Sequence, residues 1–211
     1  MLFANRKDAG IKLAMKLQGY ADENNVIYAL PRGGVELGYE IAAALKAPLD
    51  VVITRKIGHP SSPEYAVCSV TENGELICDE HVRHELDSKW LEGAVRKERN
   101  EAMRRRTVYL KSITHLSPRN KTAIIVDDGV ATGLTMHAAI RSIRARHPKK
   151  IVVAVPVCPR DTAKLLRAEV DDLVLLEDAV DYLGAVGAYY DDFSQVSDAT
   201  VIELLKRSRF G

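Results

Sequence analysis

The strongest constraint on how this chain can fold is the repeated alternation of short, unbroken apolar runs with segments whose apolar residues recur at helical spacing. Val26-Ile27-Tyr28-Ala29-Leu30 stops at Pro31, and a helical pattern then runs from Val35 to Leu45. The pairing returns as a strand from Thr122 to Val126 with a helix from Thr135 to Arg146. It returns again as a strand from Ile151 to Val155 with a helix from Asp161 to Ala168, before a last strand at Asp172 to Leu176. Leu49 to Thr54 adds one more strand. Ile11, Ala14 and Leu17 mark a helix over Asp8 to Leu17 that ends at Gly19. This rhythm implies an α/β protein with a mostly parallel central sheet, right-handed crossovers and flanking helices.

The middle of the chain breaks the rhythm. Arg55 to Pro63 has the composition of an exposed, mobile loop. Tyr65 to Val70 and Glu75 to Cys78 flank Asn73-Gly74, a dipeptide that supplies the positive φ angles of a tight hairpin turn. From about Glu85 to Leu110 there is no proline and only Gly93, with Leu86, Trp90, Ala94 and Val95 on one face: one long helix or two short ones. Trp90 reads as a packing anchor, and Arg104-Arg105-Arg106 as a solvated face or subunit contact.

With 211 residues the chain can bury one core of ordinary size without needing two independent domains. A net charge of +1 gives no electrostatic reason to expect nucleic acid or an acidic membrane as the main partner, so any anion site must be local. No apolar run approaches the roughly 20 residues that span a bilayer, and Met1 to Arg6 lacks the apolar stretch of a secretory signal, so the cytoplasm is the expected compartment. Cys68, Cys78 and Cys158 are widely spaced and odd in number. They read as free thiols.

The chemistry gathers where the strand ending at Val126 passes into the following helix. Gly129 and Gly133 permit backbone conformations and close approaches that a side chain would obstruct. The N–H groups from about Ala131 to Thr135 can then converge on one anion at a helix N-terminus, where donors are unpaired and the dipole is positive. Thr132 and Thr135 add hydroxyls. This is a phosphate cradle without the Gly-Lys-Ser/Thr ending of nucleoside-triphosphate loops. Asp127 and Asp128 precede it, and adjacent carboxylates suit a ligand that also presents vicinal hydroxyls or a bound magnesium ion. A ribose 5-phosphate meets that demand.

The run Val126-Asp127-Asp128-Gly129-Val130-Ala131-Thr132-Gly133-Leu134-Thr135 resembles the phosphoribosyl pyrophosphate signature of type I phosphoribosyltransferases. The likeness extends to Leu30-Pro31-Arg32-Gly33-Gly34, at the place of that family's pyrophosphate loop, and to Arg55-Lys56, ahead of its mobile catalytic loop. Asp8-Ala9-Gly10, Arg55-Lys56-Ile57-Gly58 and the tail Ala185 to Phe193 are similar to a bacterial subgroup of the family, so the likeness runs nearly end to end.

The resemblance implies one domain over residues 1–211, with an insertion at about 64–115 and a hood at about 177–211. It implies transfer of ribose 5-phosphate from phosphoribosyl pyrophosphate to a nucleobase or related nitrogen heterocycle, with pyrophosphate leaving. Arg32, Arg55 and Lys56, with the N–H groups of Gly33 and Gly34, would neutralise the leaving group. Asp127 and Asp128 would hold the ribose and, mainly through water, a magnesium ion bound chiefly by the substrate. Gly129, Val130, Ala131, Thr132, Gly133, Leu134 and Thr135 would take the 5-phosphate. A non-catalytic regulator that binds the same donor, and a hydrolase acting on it or on a nucleotide, are the alternatives. Family members are commonly dimers or tetramers, which makes a homodimer the associated expectation.

Ala131 stands where hypoxanthine-guanine members carry an aspartate for the purine N7, and a methyl group takes no proton. Against that, Val186-Gly187 with Tyr189 and Asp191 is loosely similar to the hood of those same enzymes. Tyr182, Tyr189, Tyr190 and Phe193 supply aromatic surface either for stacking a base or for packing the hood. Cys158 reads as a packed thiol, and His137 as exposed.

Overall fold

A computed structural model describes residues 2–111 and 114–210. Five parallel strands form the central sheet: β1 (Asn25–Ala29), β2 (Leu49–Val51), β6 (Thr122–Val126), β7 (Lys150–Pro159) and β8 (Asp172–Ala179), in the order β2-β1-β6-β7-β8. A separate antiparallel sheet holds β3 (Thr54–His59), β4 (Ser62–Thr71) and β5 (Leu76–Cys78). The helices are α1 (Arg6–Lys16), α2 (Gly34–Leu45), the single turn α3 (Glu80–Arg83), α4 (Ser88–Tyr109), α5 (Leu134–Arg144), α6 (Arg160–Glu169) and α7 (Asp198–Phe210). Among the described residues no helix is long and apolar enough to cross a membrane.

The unbroken apolar runs are explained by burial of both sheet faces. Ile27, Ala29, Ile124, Val126, Val152 and Ala154 point into one core with Leu13 of α1, Ile41 of α2 and Leu205 of α7. Their neighbours Val26, Tyr28, Ala123, Ile125 and Val153 point the other way, into a core with Met136 and Ile140 of α5 and Leu166 of α6. Strand alternation thus divides each run between two helical layers.

The strand order also locates the crevice. From β1 the chain first moves outward to β2 and later returns to the opposite side of β1 as β6, so the order reverses between these two neighbours. Their register pairs Ala29 with Val126, and the N–H of Leu30 donates to the Val126 carbonyl at 2.9 Å. The loops leaving β1 and β6 therefore start side by side at a topological switch point, where open α/β sheets bind ligands.

Three expectations for the middle of the chain are corrected. The strand expected over Leu49 to Thr54 ends at Val51, and residues 54–59 form β3 of the second sheet instead of an open loop. A hairpin partner, β4, supplies the backbone hydrogen bonds that composition alone could not reveal. Cys68 and Cys78 are not free thiols: they face each other across β4 and β5 and form a disulfide. Cys158 is free and buried.

Arg104 and Arg105 do lie outward, paired with Glu101, but Arg106 turns inward. Its Nη1 donates to Glu72 Oε1 at 2.7 Å and to the Val51 carbonyl at 3.2 Å. Nearby Asp50 is fully buried and accepts the N–H of Leu116 at 2.8 Å, with His115 Nδ1 2.7 Å away. Burial alone would raise its carboxyl. The hydrogen bonds from His115 and Leu116 outweigh that and hold it below the usual range. This network clamps α4 and the second sheet to the edge strand β2.

Candidate active site

Two glycines show how tightly the β1 and β6 loops meet. A Cβ on Gly33 would overlap the Asp128 carboxylate and lie 2.7 Å from Arg6 Nε. One on Gly34 would lie 2.8 Å from the Val126 carbonyl oxygen and 3.0 Å from the Asp127 Cα. These glycines are required by close approach. The Pro31–Arg32 peptide is cis, and Arg32 Nη1 lies 3.8 Å from Asp198 at the start of α7, a loose and partly exposed pair.

Beyond the acidic pair, the Val130 N–H donates to the Val157 carbonyl at 2.9 Å, which fixes the loop to β7. Thr162 of α6 donates its hydroxyl to the Ala131 carbonyl at 3.0 Å. Gly133 has φ +84°, in the left-handed region, and starts α5. Among the described residues, none of the N–H groups from Ala131 to Thr135 has an acceptor in the protein. Ala131 and Thr132 are exposed, and Leu134 and Thr135 partly so. The result is an open set of donors at a helix N-terminus, suited to an anion.

The acidic pair is electrostatically strained. Burial pushes the Asp127 carboxyl well above the usual carboxylate range, and the Asp128 charge pushes it further; Lys56 and Arg6 pull it back. Asp128 is raised by burial and opposed by Arg6. Two adjacent carboxyls sharing little water favour holding a proton until a cation or hydroxyl donors arrive.

Sequence reasoning missed Arg6. Its Nε donates to Asp128 Oδ2 at 2.8 Å, its Nη1 donates to the Ser194 carbonyl at 2.7 Å, and its guanidinium carbon lies 3.8 Å from the centre of the Phe193 ring. The Asn5 side chain caps α1 by accepting the Asp8 N–H at 2.9 Å, and that entry places Arg6 in the helix's first turn, against the β6 loop. The only signal was the cap itself, which marks where the helix begins and not what it faces.

The expected residues fall into two groups. Arg32, Gly33, Gly34, Asp127, Asp128 and the stretch Gly129 to Thr135 gather at the two strand ends. Arg55 and Lys56 lie on β3. Arg55 is held by Glu98 of α4 at 2.8 Å, while Lys56 is exposed and its charge reaches Asp127.

The tail folds onto the same crevice. Gly129 has no room for a Cβ because Val186 fills it, and the Tyr190 hydroxyl donates to the Asp128 carbonyl at 2.6 Å. Tyr189 and Tyr190 are buried, Tyr182 stacks on Tyr189 with centroids 5.8 Å apart, and Phe193 lies under Arg6. These rings serve packing. His137, expected to be exposed, is largely covered against Gly133 and lies 3.0 Å from Glu169. Burial pushes the Cys158 thiol up to about 12, which removes it as a nucleophile.

Comparison with known proteins finds matches over nearly the whole chain. The phosphoribosyl transferase domain family matches residues 2–192. Two curated proteins from Mycobacterium tuberculosis strains H37Rv and CDC 1551, each provisionally named a phosphoribosyl transferase, are 37% identical over 209 residues, or 98% of this chain. The chain spans about half the length of these relatives, 47%. The crystal structure of TT1426 from Thermus thermophilus superimposes with a TM-score of 0.82 at 37% identity, covering 98% of this chain and 99% of that one.

Proposed function

The chain belongs to the phosphoribosyl transferase domain family, and from that membership we propose that it moves ribose 5-phosphate from phosphoribosyl pyrophosphate to a ring nitrogen of a nucleobase or related heterocycle, releasing pyrophosphate. The observation that carries this reading is the contact of the Gly33-Gly34 backbone with Asp127 and Asp128. It sets a cationic, glycine-lined loop directly beside an acidic pair and an open phosphate cradle.

In this reading the N–H groups from Ala131 to Thr135, with the hydroxyls of Thr132 and Thr135, take the 5-phosphate. Asp127 and Asp128 accept the ribose 2- and 3-hydroxyls and favour positive charge at C1 as the bond to pyrophosphate lengthens. Arg32 and the Gly33 and Gly34 amides meet the developing charge on the leaving group. Oriented donors of this kind do most work where water is scarce. Lys56 would complete that neutralisation, and Arg55 would contribute after release from Glu98.

A magnesium ion would supply further charge neutralisation on the pyrophosphate. The residues present fit such an ion only as secondary ligands. One Asp127 oxygen accepts the Asp128 N–H and one Asp128 oxygen accepts from Arg6, so each carboxylate offers one oxygen. Among the described residues no group of three or more His, Cys, Asp or Glu side chains forms a cation cage. Binding through the substrate's oxygens and water suits magnesium. Ala131 offers no proton acceptor, so the acceptor's ring proton must leave by another route.

The test is pyrophosphate release from magnesium-phosphoribosyl pyrophosphate with a panel of purines, pyrimidines and related heterocycles, comparing the native protein with Asp128→Asn. Release that requires one base and falls by about 10²-fold in the variant is expected. Release without any base would assign a hydrolase, and tight binding without turnover a regulator. Failure to bind the donor at all would overturn the reading.

A further inference from the structure

A second cavity, of about 670 Å³, lies between the β3–β4 hairpin and α4. Lys56 and His59 line it from the hairpin, and Lys89, Trp90, Gly93 and Lys97 from the helix. Its one acidic lining residue, Glu98, is already engaged by Arg55 at 2.8 Å. Among the described residues none of the three lysines has an ion-pair partner; the lysines that do are Lys12 and Lys150, elsewhere. The wall therefore carries positive charge that no salt bridge among the described residues neutralises. His59 Nδ1 accepts the Ser61 N–H at 3.2 Å, which leaves Nε2 as the ring's donor.

Gly93 is the informative residue. A glycine inside an exposed helix is less stable than alanine there, and the glycines of the β1 and β6 loops are explained by close contacts or positive φ. Gly93 has neither reason. Its φ is not positive, and nothing lies within 4 Å of where its Cβ would be. What its bare Cα provides is space in the cavity wall, one turn from Trp90. The indole packs in part against the Ile57 and Val67 cluster and stays half-exposed, fixed as an aromatic wall.

We propose that this cavity binds a planar aromatic molecule carrying at least one negative charge, with the ring against Trp90 beside Gly93 and the anion among Lys56, Lys89 and Lys97. The volume lies within the range of small-molecule sites, and an aromatic wall with free cations matches that chemistry. The Lys56 charge also acts on Asp127, but no residue lining the cavity belongs to the acidic pair or the phosphate cradle. The inference does not depend on donor chemistry.

Trp90 is the only tryptophan in the chain, so its fluorescence reports the cavity. The full chain would be titrated with guanosine monophosphate, a benzenedicarboxylate, guanosine and inorganic pyrophosphate. Saturable quenching by either of the first two is expected, and which of them binds more tightly distinguishes a nucleotide from an aromatic carboxylate. Guanosine and pyrophosphate, each lacking one half of the chemistry, should bind at least tenfold more weakly. Gly93→Leu fills the cavity from a helix position with open space, so it should fold at least as stably and weaken binding at least tenfold. Lys89→Ala with Lys97→Ala should weaken it similarly.

Quenching that survives Gly93→Leu, or that pyrophosphate matches, would overturn the proposal, as would no quenching by any probe. Asp128→Asn separates the two sites. Quenching kept in that variant places the ligand outside the donor crevice, whereas quenching lost with it would mean that the signal came from the crevice and would sink the inference. Donor binding measured in Gly93→Leu stands or falls independently.

Discussion

Arg6 Nε lies 2.8 Å from Asp128 Oδ2, so the first residue of the first helix holds one of the two acids that end a central strand. The same guanidinium covers Phe193 and reaches the Ser194 carbonyl. One side chain thereby joins the N-terminal helix, the β6 loop and the C-terminal tail.

Replacing it isolates that role. Arg6→Met keeps an apolar stem but takes the guanidinium away from both Phe193 and Asp128. Removing one partner of a mostly buried pair is worth roughly 2–4 kcal/mol, scaled down from a fully buried pair because Asp128 keeps some water. Urea unfolding should show that loss. An unchanged midpoint would mean that the ion pair contributes no net stability.

The acidic pair makes a pH prediction whose sign follows from its raised carboxyl. An acid with a higher pKa in the folded state than in the unfolded chain binds its proton more tightly when folded. Its contribution is fully present below the unfolded value of about 4 and is lost as pH rises through the folded value. Asp127→Asn removes that titration and retains an acceptor for the Asp128 N–H. The variant's stability relative to the native protein, without ligand, should therefore increase as pH rises above about 4. A difference that stays flat from pH 4 to 8 would contradict the assignment. Carboxyls held low, such as Asp50, act in the opposite direction and cancel in the comparison.

Gly33→Ala and Gly19→Ala form a matched pair. The first drives a methyl into Asp128 and Arg6, while nothing lies within 4 Å of the second. Overpacking should cost Gly33→Ala about 1–3 kcal/mol and its affinity for phosphoribosyl pyrophosphate. Gly19→Ala should be neutral or stabilise by up to about 1 kcal/mol through the unfolded chain. Equal thermal shifts in the two variants would show that close approach at Gly33 is not the constraint.

The disulfide predicts a response to reductant. Cys68 and Cys78 are 10 residues apart in sequence, and a loop of that size corresponds to about 3 kcal/mol in the chain-entropy picture. Dithiothreitol should lower the melting temperature of the native protein and leave Cys78→Ser unaffected. A native melting curve that ignores reductant would argue against the bond.

Parts of this molecule were legible in sequence because they depend on near neighbours. Residues 122–135 run from an apolar strand through glycines into a helix, and every requirement of that turn is met within the segment. The contact between Gly33 and Asp128 joins residues far apart in sequence, yet each loop carried its own signature. Arg6 carried none. Beside Lys7 at a helix start it has the look of a solvated cation, and its partner is 122 residues away.

Cys68, Arg106 and Gly93 could not be placed from sequence for the same reason. A cysteine becomes half of a disulfide only when strand register places another opposite it, and Cys68 meets Cys78 through the pairing of β4 with β5. Arg106 looks like Arg104 and Arg105 until α4 settles with one of the three facing Glu72. Gly93 acquires meaning only from the space beside it.

The sequence by itself determined the α/β order, the double burial of the central strands and the glycine-rich cradle, because periodicity and backbone freedom are properties of consecutive residues. Tertiary structure alone decided which cation holds Asp128, which cysteines join and that Lys56 lies on a strand of the second sheet. Those outcomes depend on distances between separate segments, and such distances exist only once hydrophobic burial has fixed the layers against one another.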